Sequence, residues 1–531
     1  KAVAVTAIIA RPRQHDHASR GARGLRQCVE AVKRGVGGAH HQGKTGRAGF
    51  YDGAVNGLGT SAVMNDGGKW GVQSKHVNIR GDWRRPRKNH IAWQRGVLST
   101  KLRAQEIYMR HVHHFIAGKH VSGSDPRTGD IFDPGTGQVQ AQVCMGTPAE
   151  LDQAVKAALA AQPEWAETNP QRRARVMFRF KELLEANMDE LAVLLSSEHG
   201  KVIADSKGDI QRGLEVIEFA CGIPHLLKGE YSQGAGPGID IYAMRQPLGV
   251  VAGITPFNFP AMIPMWMFGI ALACGNAFIL KPSEKDPSVP VRLAELMLEA
   301  GAPEGILNVV QGDKAVVDAI LTHDDIRAVS FVGSSDIAHY VYSTGTANAK
   351  RVQAMGGAKN HGIILPDADM DQVVADIAGA AFGSAGERCM ALPVAVPVGA
   401  ETADIFVERM RAEIDKLNIG VATDPDAHFG PVVTSAHRQR IENYIDMGVK
   451  EGAELVVDGR GATLQGHEDG FFIGPSMFDR VTPDMQSYKD EIFGPVLQVV
   501  RADSLEEAAR LPSEHQYGNG VALFTRNGLA A

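Results

Sequence analysis

Between Pro247 and Val332 the chain alternates short, unbroken apolar runs with helical patterns, and that alternation fixes the fold class. Residues 248–254, 277–280, 306–310 and 328–332 read as strands, while 261–273 and 289–300 read as helices, the second stopping at Gly301. Strands apolar on every position are buried on both faces, which occurs in parallel sheets covered by helices. The expected class is therefore α/β. In such sheets ligands bind at the carboxyl ends of the strands, so the chemistry is expected just after Ile254, Leu280 and Val332.

Three short stretches occupy those ends. Thr255-Pro-Phe-Asn-Phe-Pro260 holds an asparagine between aromatics and prolines; its amide can donate to an oxyanion, or it can simply favour a turn. Lys281-Pro-Ser-Glu-Lys285 pairs a cation with an acid three residues on, suited to ribose hydroxyls or to a surface ion pair. Gly333-Ser-Ser-Asp336 opens a helix, and a helix N-terminus of small residues can cradle a pyrophosphate; it lacks a GxGxxG pattern, so composition leaves the question even.

The nucleophile candidate lies further on, in Phe382-Gly-Ser-Ala-Gly-Glu-Arg-Cys-Met-Ala391. Small residues leave the Cys389 thiol uncrowded, and the adjacent Arg388 is expected to favour the thiolate. A lone cysteine is more often a small core residue. Its standing rests on the rest of the chain.

Upstream, Thr147-Pro-Ala-Glu150 supplies a helix cap, a first-turn proline and an acid at the third helical position. Leu151, Val155 and Leu159 are expected on its buried face. A second helix is expected from Asn169-Pro170, carrying Val176, Phe180, Leu183, Leu184 and Leu191. His111, His113 and His114 have no acid or cysteine at ligand spacing, so a solvated loop is expected and no metal site. Gly234-Ala-Gly-Pro-Gly238 has no strand before it and reads as a connection rather than a phosphate loop.

With 531 residues there is material for about three domains. Five cysteines without C-x-x-C spacing argue against a zinc site and fit a reducing cytoplasm. No apolar run approaches a membrane span of about 18 residues. Residues 1–105 differ from the remainder: 20 basic residues stand against 5 acidic ones, with no sustained helical or strand period. They are read as a disordered or non-native leader, in preference to a nucleic-acid-binding arm around Arg84-Arg-Pro-Arg-Lys88.

In chain order, Pro256-Phe-Asn-Phe-Pro260, Lys281-Pro-Ser-Glu284, Phe331-Val-Gly-Ser334, Gly386-Glu-Arg-Cys389 and Glu491-Ile-Phe-Gly-Pro495 resemble the aldehyde dehydrogenase superfamily, over about four-fifths of the chain. Arg351 to His361 and Gly383 to Met390 are most similar to its CoA-acylating, semialdehyde-oxidising branch. The resemblance implies a Rossmann-like NAD-binding domain (106–228 and 247–355), an oligomerisation arm (229–246) and an α/β catalytic domain (356–531), the last cut short. It implies Cys389 as nucleophile and Asn258, with a backbone N–H, as oxyanion donor. It implies NAD contacts from Thr255, Phe257, Lys281, Glu284, Lys285, Gly333, Ser334, Gly356, Glu491 and Phe493. It further implies a homodimer or homotetramer, with no nucleic acid and no membrane as partner.

Hydrolytic members carry a glutamate as general base where this chain has Met355, in Met355-Gly-Gly-Ala-Lys359. Methionine cannot take a proton from water, so the resemblance implies that a Cys389 thioester waits for the thiol of CoA. Arg212 and Arg388 match arginines of the branch and are expected either to bind a substrate carboxylate or to form structural pairs with Glu215 or Glu387. Two alternatives stand beside this reading: a hydrolytic dehydrogenase of a simpler aldehyde, and an inactive truncated remnant.

Overall fold

The computed structural model describes residues 109–531, together with the backbone of three short strands, Ala4–Ile9, Ala62–Met64 and Trp70–Val72. The chain divides into two units, one of Lys1–Arg11 with Ile107–Ala531 and one of Pro12–Glu106. In the latter, Ala62–Met64 and Trp70–Val72 pair antiparallel.

Two seven-stranded sheets organise the larger unit. The first runs in the order Arg351–Met355, Ile326–Val332, Val250–Ile254, Ala277–Lys281, Leu307–Val309, His114–Ile116, Lys119–Val121. Its first five strands are parallel, and an antiparallel hairpin closes the far edge. The expected alternation is present, with strand and helix bounds moved by a residue or two. Val250–Ile254 and Ala277–Lys281 are buried at every position, as strands sandwiched by helices must be. The strand order reverses between Val250–Ile254 and Ile326–Val332, which is where such sheets open a crevice.

The second sheet runs Ala4–Ile9, Gly520–Thr525, His361–Ile364, Val394–Pro397, Val496–Val499, Ser476–Asp479, Glu454–Val457, parallel apart from the last pair. Each sheet has its own apolar core, one drawn from residues between Val112 and Val341, the other from residues between Ile363 and Phe524. The link between the sheets is five residues long, from Gly356 to Asn360.

Local signals hold where they are self-contained. Thr147 accepts from Ala149 N at 3.2 Å and Glu150 Oε2 accepts from Thr147 N at 2.8 Å, so the capping box forms. Asn169 caps the next helix by accepting from Gln171 N at 2.9 Å. Three expectations need correction. Leu159 is 41% exposed, and Ala158 takes the buried place, because a 3.6-residue turn brings i+7 rather than i+8 back to the face that starts at Leu151. Leu191 belongs to a separate helix, Met188–His199, since the preceding one ends at Ala186 and Asn187 caps it. His114 is no solvated loop residue: it lies in strand His114–Ile116, fully buried, with Nδ1 accepting from Gln311 N at 3.0 Å, and burial pushes its pKa down to about 4. At the edge of the second sheet, Ala4–Ile9 pairs in parallel with Gly520–Thr525.

The glycine-rich stretch at 234–238 is half strand. Tyr231–Gly236 and Ile239–Tyr242 form an antiparallel hairpin whose Tyr231, Ile239, Ile241 and Tyr242 are exposed. No helix among the described residues is long and apolar enough to cross a membrane, and none of their His, Cys, Asp and Glu clusters could hold a metal ion.

Candidate active site

Opposite strand ends meet at the site. The first sheet brings its carboxyl ends, so Thr255, Lys281 and Gly333 follow or close the strands ending at Ile254, Lys281 and Val332. The second sheet brings its amino ends: Lys359 and Asn360 precede His361–Ile364, Cys389 precedes Val394–Pro397, Glu491 and Phe493 precede Val496–Val499, and Asn519 precedes Gly520–Thr525. One pocket is lined by Ala358, Lys359, Asn360, Arg388, Cys389 and Glu491, with Phe493 at its side.

Cys389 leaves a loop under backbone strain. Ser384 and Ala385 take left-handed φ values of 53° and 51°, sparsely populated for residues with a side chain. Gly386 follows at φ 71°, and a Cβ there would meet Gly494 O at 2.2 Å, so the loop lies hard against the segment carrying Phe493. The Cys389 carbonyl accepts from Asn360 Nδ2 at 3.0 Å and from Asn519 Nδ2 at 2.8 Å. Burial pushes the thiol up, the Glu491 carboxylate adds to that, and the Lys201 cation pulls it down. The expectation that Arg388 would lower the thiol is corrected accordingly: Arg388 Nη2 donates to Asp205 Oδ1 at 2.7 Å, and Nη1 to Gly379 O at 3.3 Å.

Asn258 is buried in the turn after Val250–Ile254, and its carbonyl accepts from Lys201 Nζ at 2.6 Å. Phe257 beside it packs edge-on against Phe493 at 5.9 Å and lies under Lys285 Nζ at 4.5 Å. Lys281 and Glu284 face each other at 3.3 Å. Burial raises Glu284, but the Lys281 charge and hydrogen bond, a backbone N–H and the Lys285 charge together hold the carboxyl below its usual value. Ser334 caps the helix Ser335–Ala347, and Gly333 N donates to Met355 O at 3.1 Å. Gly356 lies against Ser335, a Cβ there meeting Oγ at 2.8 Å. Glu491 Oε1 accepts from Ala358 N at 3.1 Å, and a Cβ on Gly357 would meet Glu491 Oε2 at 2.5 Å.

Cys389, Arg388, Glu491 and Phe493 thus share one pocket, and Phe257 touches it through Phe493. Arg212 does not line that pocket: it is 70% exposed on helix Ile203–Cys221, which also carries Asp205, and pairs with Glu215 at 3.3 Å. Sequence reading gave no role to Lys201, Lys359, Asn360 or Asn519. Lys359 is fully buried, donating to Ser487 O at 3.0 Å and Asp490 O at 2.7 Å, and burial lowers it to about 7. Its place inside the quoted Met355–His361 motif was the available signal.

The sequence pattern of the aldehyde dehydrogenase family matches residues 120–531. The chain belongs to the aldehyde dehydrogenase family. Within it, the enzyme is 53% identical over 423 residues to a malonate-semialdehyde dehydrogenase of Pseudomonas aeruginosa, covering 80% of this chain and 85% of the relative. It is 46% identical to the mitochondrial methylmalonate-semialdehyde dehydrogenase [acylating] of Arabidopsis thaliana, covering 86% and 75%. Among solved structures, the methylmalonate-semialdehyde dehydrogenase of Oceanimonas doudoroffii superposes with a TM-score of 0.78 at 52% identity, covering 80% and 86%. A Sinorhizobium meliloti structure complexed with NAD, provisionally named as the same enzyme, gives 0.79 at 62% identity, covering 80% and 87%.

Proposed function

We propose that this aldehyde dehydrogenase oxidises malonate semialdehyde or methylmalonate semialdehyde with NAD and transfers the acyl group to CoA with loss of CO2. The observation that carries the acyl-transfer half is Met355, a side chain that takes no proton, at the end of strand Arg351–Met355 where hydrolytic members carry their base. The names of the relatives above support the substrate class.

The site fits NAD. The hydroxyl of Thr255 at the strand end is buried without a hydrogen-bond partner among the described residues, and the absence of a side chain at Gly357 keeps Glu491 open. Lys281, Glu284 and Lys285 would hold the adenosine ribose; Thr255, Gly333, Ser334 and Gly356 would line the pyrophosphate's path; Glu491, Phe257 and Phe493 would hold the nicotinamide riboside. When bound, NAD accepts the hydride released by the aldehyde carbon.

The Cys389 thiolate adds to that carbon, and the resulting oxyanion takes a hydrogen bond from the Asn258 amide and one from a backbone N–H. Such a donor contributes about 3–4 kcal/mol. After hydride loss, Cys389 carries a thioester whose β-carboxylate departs as CO2; the electron pair left on carbon takes a proton. CoA thiolate then attacks the thioester and releases the Cys389 thiolate. With Met355 in the base position, water is a poor competitor.

Arg388, which lines the pocket, is the residue we assign to the substrate carboxylate, in exchange for Asp205; Arg212 is the second arginine of this reading. A homodimer or homotetramer built on the exposed hairpin Tyr231–Gly236 with Ile239–Tyr242 is the assembly we propose, and the cytoplasm the compartment. Product analysis decides the acceptor: acetyl-CoA or propionyl-CoA, formed only with CoA present, is expected, and free acid made at full rate without CoA would favour the hydrolytic alternative. Arg388→Leu should raise KM for malonate semialdehyde far more than for propanal, whose lack of a carboxylate leaves the arginine nothing to bind; equal losses return Arg388 to its pair with Asp205.

A further inference from the structure

Lys201 is among the largest fully buried side chains of the described chain. It follows Gly200, whose φ of 94° ends the helix Met188–His199, and no periodic or motif signal marks it. Its Nζ donates to the Asn258 carbonyl at 2.6 Å, stands 3.4 Å from Asp209 Oδ2 and lies 4.6 Å from the centre of the Phe259 ring. Asp209, also buried, accepts from Met262 N at 2.7 Å through its other oxygen. Two side chains from one helical layer therefore grip the turn at Asn258, Phe259 and Met262.

Burying an ammonium and a carboxylate is costly, and an apolar pair of the same volume is often as stable or more so. What an apolar pair cannot do is hold a backbone carbonyl at hydrogen-bond distance. An ammonium carries three donors and no acceptor, and two of its directions are spent on the carbonyl of one residue and on the acid that keeps the charge in place. The carbonyl belongs to Asn258, so fixing it fixes the peptide planes on which the Asn258 side chain turns.

We propose that Lys201, anchored by Asp209, is a positioning residue for the oxyanion donor, holding the Asn258 backbone so that its amide meets the developing charge. The inference rests on Asn258 being that donor.

The test is a double-mutant cycle on the full-length enzyme with NAD. Stopped-flow NADH absorbance gives the acylation rate constant for the parent, Lys201→Met, Asn258→Ala and the double variant, and NAD titration checks that each is folded. Misplacing a catalytic group by about 1 Å costs on the order of a hundredfold, so Lys201→Met is expected to slow acylation by roughly tenfold to a hundredfold. NAD affinity and aldehyde KM should stay within about threefold, and the double variant should be no slower than Asn258→Ala alone, because groups acting as a unit are non-additive. Acylation in Lys201→Met within about twofold of the parent, or losses that multiply in the double variant, would overturn the proposal. Should Asn258→Ala itself acylate at the parent rate, the oxyanion reading fails first, a separate outcome. If Lys201→Met does not fold, Asp209→Asn, which leaves the ammonium in place but loosens it, takes its part in the same cycle.

Discussion

The two walls of the cleft share one device, a side-chain donor on a backbone carbonyl, but the first sheet's wall adds charge pairs to it. On the wall of the first sheet, charge pairs hold turns: Lys201 with Asp209 at the Asn258 turn, Lys281 with Glu284 after the next strand. On the wall of the second sheet, side-chain donors catch backbone carbonyls. Asn360 and Asn519 hold Cys389, Arg440 holds Glu491 and Ile492, His437 holds Phe493, and Lys359 holds Ser487 and Asp490. The difference follows from strand direction. Carboxyl ends of parallel strands feed turns into helices, whose free N–H groups attract ligands, so the protein adds charge there. Amino ends receive irregular loops whose buried carbonyls must find donors, and those donors fix the reactive residues.

The comparison breaks most visibly if the chemical group of one wall is removed. Cys389→Ala should abolish turnover while NAD affinity stays near the parent value, since only the nucleophile is lost. Asn258→Ala, on the other wall, should lower kcat by about 10²–10³ with little change in melting temperature; a loss confined to melting temperature would mean the residue merely shapes its turn. Asn360→Ala removes a carbonyl grip without touching chemistry. It strands the buried carbonyl of Ala391 and leaves that of Cys389 to Asn519 alone, so stability should fall by about 1–3 kcal/mol and turnover by less than in Asn258→Ala. Unchanged stability would contradict the account of the second wall.

A pH-dependent effect separates the two buried lysines. Lys359 has carbonyl partners alone in contact, and burial takes its pKa from an ordinary 10.5 down to about 7. Between those values the unfolded chain holds a proton that the folded one has released, so unfolding free energy rises with pH across that window. Lys359→Met should flatten that rise by about 1.4 kcal/mol per pH unit, read from urea unfolding at pH 7.5, 8.5 and 9.5. An identical slope in parent and variant would place the proton elsewhere.

What the sequence made legible was local or ordered along the chain. The cap at Thr147, the strands before Thr255 and Lys281, and the run of motifs ending at Glu491 each lie within a few residues of what they signal. The supports were not legible because their partners are remote: Lys201 reaches Asn258 across 57 positions, Asn360 reaches Cys389 across 29 and Asn519 across 130. Tertiary burial also reversed the expected effect on the Cys389 thiol, since Arg388 is taken by Asp205 and desolvation dominates. His114 failed for the same reason: counting metal ligands around it said nothing of the strand pairing that buries it.

In the proposed mechanism a Cys389 thioester, with Met355 in the base position, waits for CoA. Stopped-flow NADH absorbance on the full-length enzyme, with malonate semialdehyde and with or without CoA, measures this directly. Without CoA a burst of about one NADH per active site and then a slow phase are expected; with CoA the slow phase should accelerate and yield acyl-CoA. Fast multiple turnover to free acid in the absence of CoA would contradict it.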